Sequence, residues 1–282
     1  MDVASVLRIF PTPAETCPLH GLYLSEDLDS GVPPFVYANY LSSLDGRIAL
    51  GAPDVGSGVP DATANPRDWR LFRELAVQSD LLLVSGSYLR RRSGGEAQEI
   101  LSIEDTADTA DLREWRAACG LSVGPDVAVI SRSLEFPVPE VLGREGRRLW
   151  VLTTENSSRQ READLRRQGA QVVRLPGAGV EGTTIVGTLS ERGYERIYNA
   201  AGPEIHHLLL SAGRPDRLYL TIASRIVGGQ EFFTLVSGPE LVPPARFRLR
   251  SLYLDAAALD GDGQLLASYD RVRDPEATAG AV

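Results

Sequence analysis

The 282-residue chain contains no lysine; all 29 of its positive charges are arginines. This excludes Schiff-base catalysis and a lysine-bearing phosphate loop, both of which need an ε-amino group. Cysteine is nearly as scarce: Cys17 and Cys119 are too few for a zinc cluster or a disulfide framework. Of the three histidines, His206 and His207 are adjacent, which on a helix sets them about 100° apart rather than onto one ligand. No metal site is expected. No stretch approaches the roughly 18 apolar residues of a membrane span, and the N-terminus lacks a basic region followed by an apolar one. The expectation is a reduced, cytoplasmic, soluble protein without a membrane partner. Its net charge of −9 has the wrong sign for a broad nucleic-acid surface. A small-molecule substrate is therefore the expected partner.

What is present reads as an alternating α/β protein. Hydrophobic residues make up 43% and charged residues 24%, ordinary for a globular chain. Residues 1–34, with Pro11, Pro13, Pro18, Pro33 and Pro34, read as an irregular N-terminal extension. Phe35–Leu41 is the first strong strand. Asn65-Pro66 then starts a helix running to about Ser79, by a capping side chain followed by proline in the first turn. Leu81–Val84 reads as a buried parallel strand. Residues 90–124 are expected to hold a loop and one surface helix near Leu112–Ala118. Further strands are expected at Val127–Ile130, Leu149–Leu152, Gln171–Leu175, Arg196–Asn199 and Leu218–Ile222, with helices at Ser158–Gln168, Thr183–Arg192 and Pro203–Ala212. That alternation implies right-handed crossovers and a mainly parallel sheet. Phe247–Tyr253 and Gln264–Tyr269, around Asp260-Gly261-Asp262-Gly263, read as an antiparallel hairpin closing the sheet's edge. Residues 35–273 thus form the domain, and 274–282 a frayed tail.

Gly177-Ala178-Gly179-Val180-Glu181-Gly182 is a literal G-x-G-x-x-G. It sits mid-chain after Pro176 and places Glu181 against any phosphate, so it reads as a flexible loop. The stronger candidate is Asn199-Ala200-Ala201-Gly202-Pro203-Glu204-Ile205. Small residues between a strand end and a helix start let backbone N–H groups approach a diphosphate; close strand–helix packing needs small residues equally. Ligands of open α/β sheets collect at these strand ends. Ser42-Ser43-Leu44-Asp45-Gly46-Arg47 offers hydroxyls, a carboxylate and a guanidinium for a polar heterocycle, or else a plain Asp-Gly turn. Ser131-Arg132-Ser133 and Thr153-Thr154 follow strands and suit the 2′-phosphate of NADPH, since arginine binds phosphate through two parallel hydrogen bonds, or else are simply solvated surface. Ser85-Gly86-Ser87 is a further small-residue loop at a strand end.

In order along the chain these segments resemble one family. Tyr37-Ala38-Asn39-Tyr40-Leu41-Ser42-Ser43-Leu44-Asp45-Gly46-Arg47-Ile48-Ala49 resembles the opening strand of the reductase domain of the bifunctional riboflavin-biosynthesis deaminase–reductase. Leu83–Ser87 resembles its second strand and loop, and Gly202–Ile205, Gly213–Ala223 and Val227–Gly229 its closing segment. The resemblance spans residues 35–270. It implies a dihydrofolate-reductase-like mixed, mainly parallel sheet flanked by helices, hydride transfer from NADPH to a ribosylamino-uracil phosphate or a pteridine-like substrate, and a homodimer. Asp45 would be catalytic, orienting substrate or stabilising an iminium-like centre, with Asn39, Ser43 and Arg47 lining the substrate cleft. Ala201, Gly202, Pro203, Glu204 and Ile205 would cradle the diphosphate. Ser85, Gly86, Ser131, Arg132, Ser133 and Thr153 would approach the rest of the cofactor.

One departure stands out. The family's Glu-Gly-Gly-Pro is Ala200-Ala201-Gly202-Pro203 here, which removes a carboxylate and a glycine. A nucleotide-binding relative without turnover is therefore the alternative expectation. The deaminase signature of His-x-Glu with Pro-Cys-x-x-Cys is missing from the sequence.

Overall fold

A computed structural model describes residues 4–29, 33–51, 58–103, 106–177 and 179–273. The expected tail, 274–282, lies outside them. Eleven strands form one sheet: β1 (Ser5–Phe10), β2 (Glu15–Pro18), β3 (Phe35–Ser43), β5 (Leu81–Ser85), β6 (Asp126–Ile130), β7 (Leu149–Thr154), β8 (Gln171–Leu175), β9 (Arg196–Asn199), β10 (Arg217–Ala223), β12 (Phe247–Asp255) and β13 (Gln264–Arg271). Their order is β2-β1-β12-β13-β10-β3-β9-β5-β6-β7-β8. From β10 to β8 all neighbours are parallel, and from β10 to β2 all are antiparallel. Two short strands missed in the sequence, β4 (Ala49–Leu50) and β11 (Phe232–Phe233), pair separately.

The parallel strands are covered on both faces, which is why Leu81, Leu82, Leu83 and Val84 form an unbroken apolar run with no exposure. Helix α1 (Pro66–Ala76) starts as its sequence requires, with Asn65 Oδ1 accepting from the Asp68 N–H at 3.0 Å and Pro66 in the first turn. It packs Leu71 and Leu75 onto the face that carries Tyr37, Leu82 and Tyr198. Helices α6 (Gly182–Ser190) and α7 (Pro203–Ser211) cover the opposite face, burying Ile185, Leu189 and Leu209 against Leu81, Leu83 and Ile197. The remaining helices are α2 (Gly86–Ser93), α3 (Ala110–Ala118), α4 (Glu140–Arg144) and α5 (Arg159–Arg167). Helices α2 and α4 were not expected; both are short and rich in arginine or glycine, so they lack a long apolar stripe.

Two expectations are corrected. The segment expected to be an irregular extension contributes β1 and β2 to the sheet, with β1 pairing on β12. Beyond β2 the chain returns across the sheet. The fully buried Glu74 carboxylate accepts from the Gly21 and Tyr23 N–H groups at 2.6 and 2.9 Å, and the Tyr23 ring packs 4.7 Å from Tyr219. Proline obscured β2, which ends on Pro18, because an edge strand tolerates a residue that cannot donate to a ladder. In consequence the β12–β13 hairpin does not close the sheet's edge; it lies between β1 and β10, and β2 is the margin.

Candidate active site

Strands β10, β3, β9, β5, β6 and β7 present their carboxyl ends along one rim. At its centre the ladder continues one residue past β9, the Ala200 N–H donating to Leu83 O at 3.0 Å. The chain then turns into α7 through Ala201 and Gly202. Buried groups shape this turn from beneath: Asn199 Oδ1 accepts from the Ala201 N–H at 3.2 Å, and the Tyr40 hydroxyl donates to Ala201 O at 3.2 Å. Behind them His206 stacks edge-on against Tyr40, and burial lowers its pKa to about 4, holding it neutral. His207 is also buried, so both histidines are packing residues.

The turn fits an anionic group. A methyl added at Gly202 would meet nothing within 4 Å, and no side chain caps α7. Pro203 has no N–H, which leaves those of Glu204 and Ile205 as the free donors of the first turn. Ile205 and Ala201 turn their side chains into the core and offer only backbone, while Glu204 is exposed. Ala201 is not among the positive-φ residues, so its Cβ does not strain the turn.

Farther along the rim the candidates divide. Gly86 opens α2 directly against β6: a Cβ there would come within 2.9 Å of Ser131 Oγ. Ser85 Oγ accepts from the Tyr88 N–H at 3.2 Å and meets Ser87 Oγ at 2.8 Å. Ser131 is buried, its hydroxyl accepting from the N–H of Leu134, a residue at φ 58°. Ser133 Oγ accepts from the Glu135 N–H. Thr153 is fully buried, and its hydroxyl has no hydrogen-bond partner among the described residues. Arg132 alone of this group is exposed, and among the described residues it has no ion-pair partner. The structure thus brings Ser85, Gly86, Ser131, Arg132, Ser133 and Thr153 to one stretch of rim, with Ser131 and Thr153 facing inward.

On the other side of Gly202, the β3 exit forms a knot around Asp45. Its carboxylate accepts from Ser43 Oγ at 2.5 Å, Arg47 Nη1 at 2.7 Å, the Val227 N–H at 3.2 Å and the Gly228 N–H at 2.8 Å. The Ser43 hydrogen bond, with those backbone donors, lowers its pKa to about 2. Arg47 also stacks over Phe232 at 4.2 Å. Asp45, Ser43 and Arg47 therefore bond chiefly to one another and to the 227–229 loop, while Asn39 lies deeper on the sheet.

Sequence reasoning missed a polar patch around Asn39. Asn39 Oδ1, the Tyr198 hydroxyl and Asp68 Oδ1 are buried oxygens without a hydrogen-bond partner among the described residues. The Asn39 side chain lies beside the Tyr198 hydroxyl, and the Thr221 hydroxyl lies near the Asp68 carboxyl. Burial raises the Asp68 pKa to about 6, with the nearby hydroxyl opposing the rise. The signal was available: Asp68 stands three and seven residues before Leu71 and Leu75, a carboxylate on the apolar stripe of α1.

The G-x-G-x-x-G segment serves packing. A Cβ at Gly182 would lie 2.0 Å from Leu208 O, so this glycine lets α6 approach α7. Gly177 adopts φ 89°, and Ala178 is outside the described residues.

The chain is similar to known proteins. The RibD C-terminal domain family matches residues 34–258. The 2,5-diamino-6-ribosylamino-4(3H)-pyrimidinone 5′-phosphate reductase of Methanothermobacter thermautotrophicus is 26% identical over 224 residues, covering 78% of this chain and 93% of that protein. A pyrimidine reductase-like protein of Corynebacterium diphtheriae superposes with a TM-score of 0.69 at 21% identity, over 91% of this chain and 99% of that one. The deaminase/5-amino-6-(5-phosphoribosylamino)uracil reductase of Thermotoga maritima does so with a TM-score of 0.55 at 16% identity, over 85% of this chain and 57% of that one. The fold is the expected mixed, mainly parallel sheet flanked by helices, with antiparallel strands toward the C-terminus. Because the family match runs from the threshold of β3 to beyond β12, the chain belongs to the RibD C-terminal domain family.

Proposed function

We propose that this protein is an NADPH-dependent reductase that delivers hydride to a pyrimidine- or pteridine-type substrate, of the kind named in its Methanothermobacter relative. The open backbone turn at Gly202 carries the reading, set beside the Asn39 patch on the same rim. The N–H groups of Glu204 and Ile205 would hold the diphosphate at the start of α7, with Ala201, Gly202 and Pro203 giving it room. Arg132 would pair with the 2′-phosphate, and Ser85, Gly86 and Ser133 would border the adenosine half, over Ser131 and Thr153. When bound, the cofactor supplies the hydride. The protein's part is to align the acceptor carbon over Asn39, exclude water and stabilise the developing charge.

Asp45 would act through the cleft wall: an ionised carboxylate that fixes Ser43, Arg47 and the 227–229 loop around the substrate. We further propose a cytoplasmic homodimer. Its pairing surface would include the apolar groove lined by Leu210, Leu218, Leu235, Leu241 and Phe247. Among the described residues no helix is long and apolar enough to cross a membrane.

A second reading, binding without turnover, is favoured by one observation: Ala200 stands where the family carries glutamate. Titration with NADPH and NADH, followed by nicotinamide fluorescence, is the test. Binding followed by oxidation on adding the ribosylaminopyrimidine phosphate or dihydrofolate supports the reductase. Binding without oxidation supports the second reading, and failure of both nucleotides to bind at millimolar concentration removes both.

A further inference from the structure

We infer that Tyr40 is a positioning residue of the cofactor turn. From beneath, its hydroxyl holds the peptide between Ala201 and Gly202 so that the Gly202 N–H points outward, a third donor to a bound diphosphate beside those of Glu204 and Ile205. The inference rests on the NADPH reading above and names the group that orients its site.

Backbone accounting leads to it. The Ala201 N–H donates to Asn199 Oδ1 at 3.2 Å, Ala201 O accepts from the Tyr40 hydroxyl at 3.2 Å, and Gly202 O accepts from the His206 N–H at 3.1 Å. Each residue carries one backbone donor and one acceptor. Of those on Ala201 and Gly202, the Gly202 N–H alone has no partner among the described residues. Gly202 is exposed, so a ligand can reach it.

Peptide geometry then sets its direction. Ala201 O and the Gly202 N–H belong to one peptide unit, and that bond is not among the cis peptides. In a planar trans unit the C=O and the N–H lie on opposite edges and point opposite ways. Tyr40 and Ala201 are both buried, so the oxygen is drawn into the core and the hydrogen turned toward the rim. Without the hydroxyl this peptide can rotate about its flanking bonds, and the glycine on one side of it offers little steric resistance.

Tyr40 is itself held. The His206 ring packs edge-on at 4.9 Å, and Asn199 Nδ2 lies 3.5 Å from both the Tyr40 hydroxyl and His206 Nδ1. These three buried side chains come from β3, α7 and β9, which meet under the turn. Burial raises the Tyr40 pKa, so the hydroxyl stays protonated and remains a donor.

An independent observation marks the same strand end as ligand-facing. Tyr198, next to Asn199 and on the other face of β9, is fully buried. Its hydroxyl has no hydrogen-bond partner among the described residues, and neither has Asn39 Oδ1 beside it. Buried polar groups are normally satisfied, and a molecule lying along the rim from Gly202 to Asn39 would supply what these two lack.

The test uses the full-length protein labelled with nitrogen-15 at glycine, the Gly202 resonance being identified by its loss in Gly202→Ala. NADPH is expected to move the Gly202 amide proton of the wild type downfield, as a hydrogen bond to a phosphate oxygen does. Tyr40→Phe removes one oxygen and keeps the ring. It is expected to retain the wild-type circular dichroism spectrum and to raise the NADPH Kd about tenfold, the scale of one lost hydrogen bond to a charged group. Its Gly202 resonance should barely respond to NADPH. In turnover the change should fall chiefly on KM for NADPH rather than on kcat. A merely structural hydroxyl would lower the melting temperature and leave the affinity and the Gly202 shift at wild-type values; that result overturns the assignment. So does a wild-type Gly202 resonance that ignores bound NADPH. If the wild type binds neither NADPH nor NADH, the reductase reading fails first and the assignment falls with it.

Discussion

Asp45 Oδ2 accepts the N–H of Gly228 at 2.8 Å, joining the end of β3 to a loop 183 residues away in sequence. With Val227 donating to the other oxygen, one carboxylate fixes the chain that leaves β10 against the chain that leaves β3. Asp45→Ala should therefore free the 225–229 loop. Limited proteolysis is expected to cut faster within that loop, and turnover to fall at least tenfold while NADPH affinity changes little. The folded carboxyl titrates near 2 against an ordinary 3.8. Its stabilising contribution is therefore complete above pH 3.8 and is lost only as pH falls toward 2. An unchanged cleavage pattern in Asp45→Ala would show that the loop is held by other contacts.

Arg132 separates the two nicotinamide cofactors in this reading. It is exposed just past β6 and has no ion-pair partner among the described residues, so a phosphate there would not have to displace one of their carboxylates. Arg132→Ala should weaken NADPH by roughly 10- to 100-fold, the equivalent of a charge-assisted hydrogen bond of about 1.5–3 kcal/mol, and NADH hardly at all. Fluorescence titration of both cofactors measures the difference. Equal weakening would place the 2′-phosphate elsewhere.

Two glycines with similar sequence surroundings should behave in opposite ways. At Gly182 a methyl group would collide with Leu208 O at 2.0 Å, so Gly182→Ala must push α6 from α7 and cost about 1–3 kcal/mol of stability. Nucleotide affinity should survive, because the clash lies between helices. At Gly202 the backbone has φ −70° and ψ 178°, and a methyl meets nothing. Gly202→Ala should leave the melting temperature unchanged while weakening NADPH, since the methyl occupies the space above the α7 amides. Thermal melts paired with NADPH titrations decide both cases, and a Gly182→Ala protein of normal stability would refute the packing account.

The contrast explains what the sequence made legible. The parallel core could be read because burial on both faces leaves continuous apolar runs such as Leu81–Val84, and because Asn65-Pro66 announces α1. The Gly202 turn was legible because a strand end, small residues and a helix-starting proline occur together. The N-terminal strands were not, since β2 offers only Glu15-Thr16-Cys17-Pro18, and its pairing depends on β1 and β12 being in place. Asp45 was found, but the bonds that occupy it come from Val227 and Gly228, which no local pattern connects to it. Asp68 was overlooked for a related reason. An acid in the first turn of a helix usually complements the helix dipole at the surface, and that habit hides the one local sign of burial, its place on the stripe of Leu71 and Leu75.

Asp68 and His206 should impose opposite pH slopes on stability in the same window. Burial raises the folded Asp68 pKa to about 6 from an ordinary 3.8, so the folded state binds the extra proton between those values. Asp68 therefore destabilises the fold fully above pH 6, and the penalty fades as pH falls toward 4. His206 has the reverse sign: burial lowers its folded pKa to about 4 from 6.5. Its neutral ring contributes fully above pH 6.5, and that contribution is lost as pH falls toward 4. At about 1.4 kcal/mol for each pH unit separating folded from unfolded pKa, either group is worth roughly 3 kcal/mol. The two contributions consequently offset each other between pH 6 and 4. Asp68→Asn should be the more stable protein at pH 7.5 and lose that advantage on acidification, because the histidine then has no counterweight from Asp68. His206→Gln should instead gain stability relative to the wild type across the same range. Urea midpoints at half-unit pH intervals distinguish the three curves. A wild-type slope shared by Asp68→Asn would mean that Asp68 carries no penalty in the fold, and that its unpaired oxygen is reached by water.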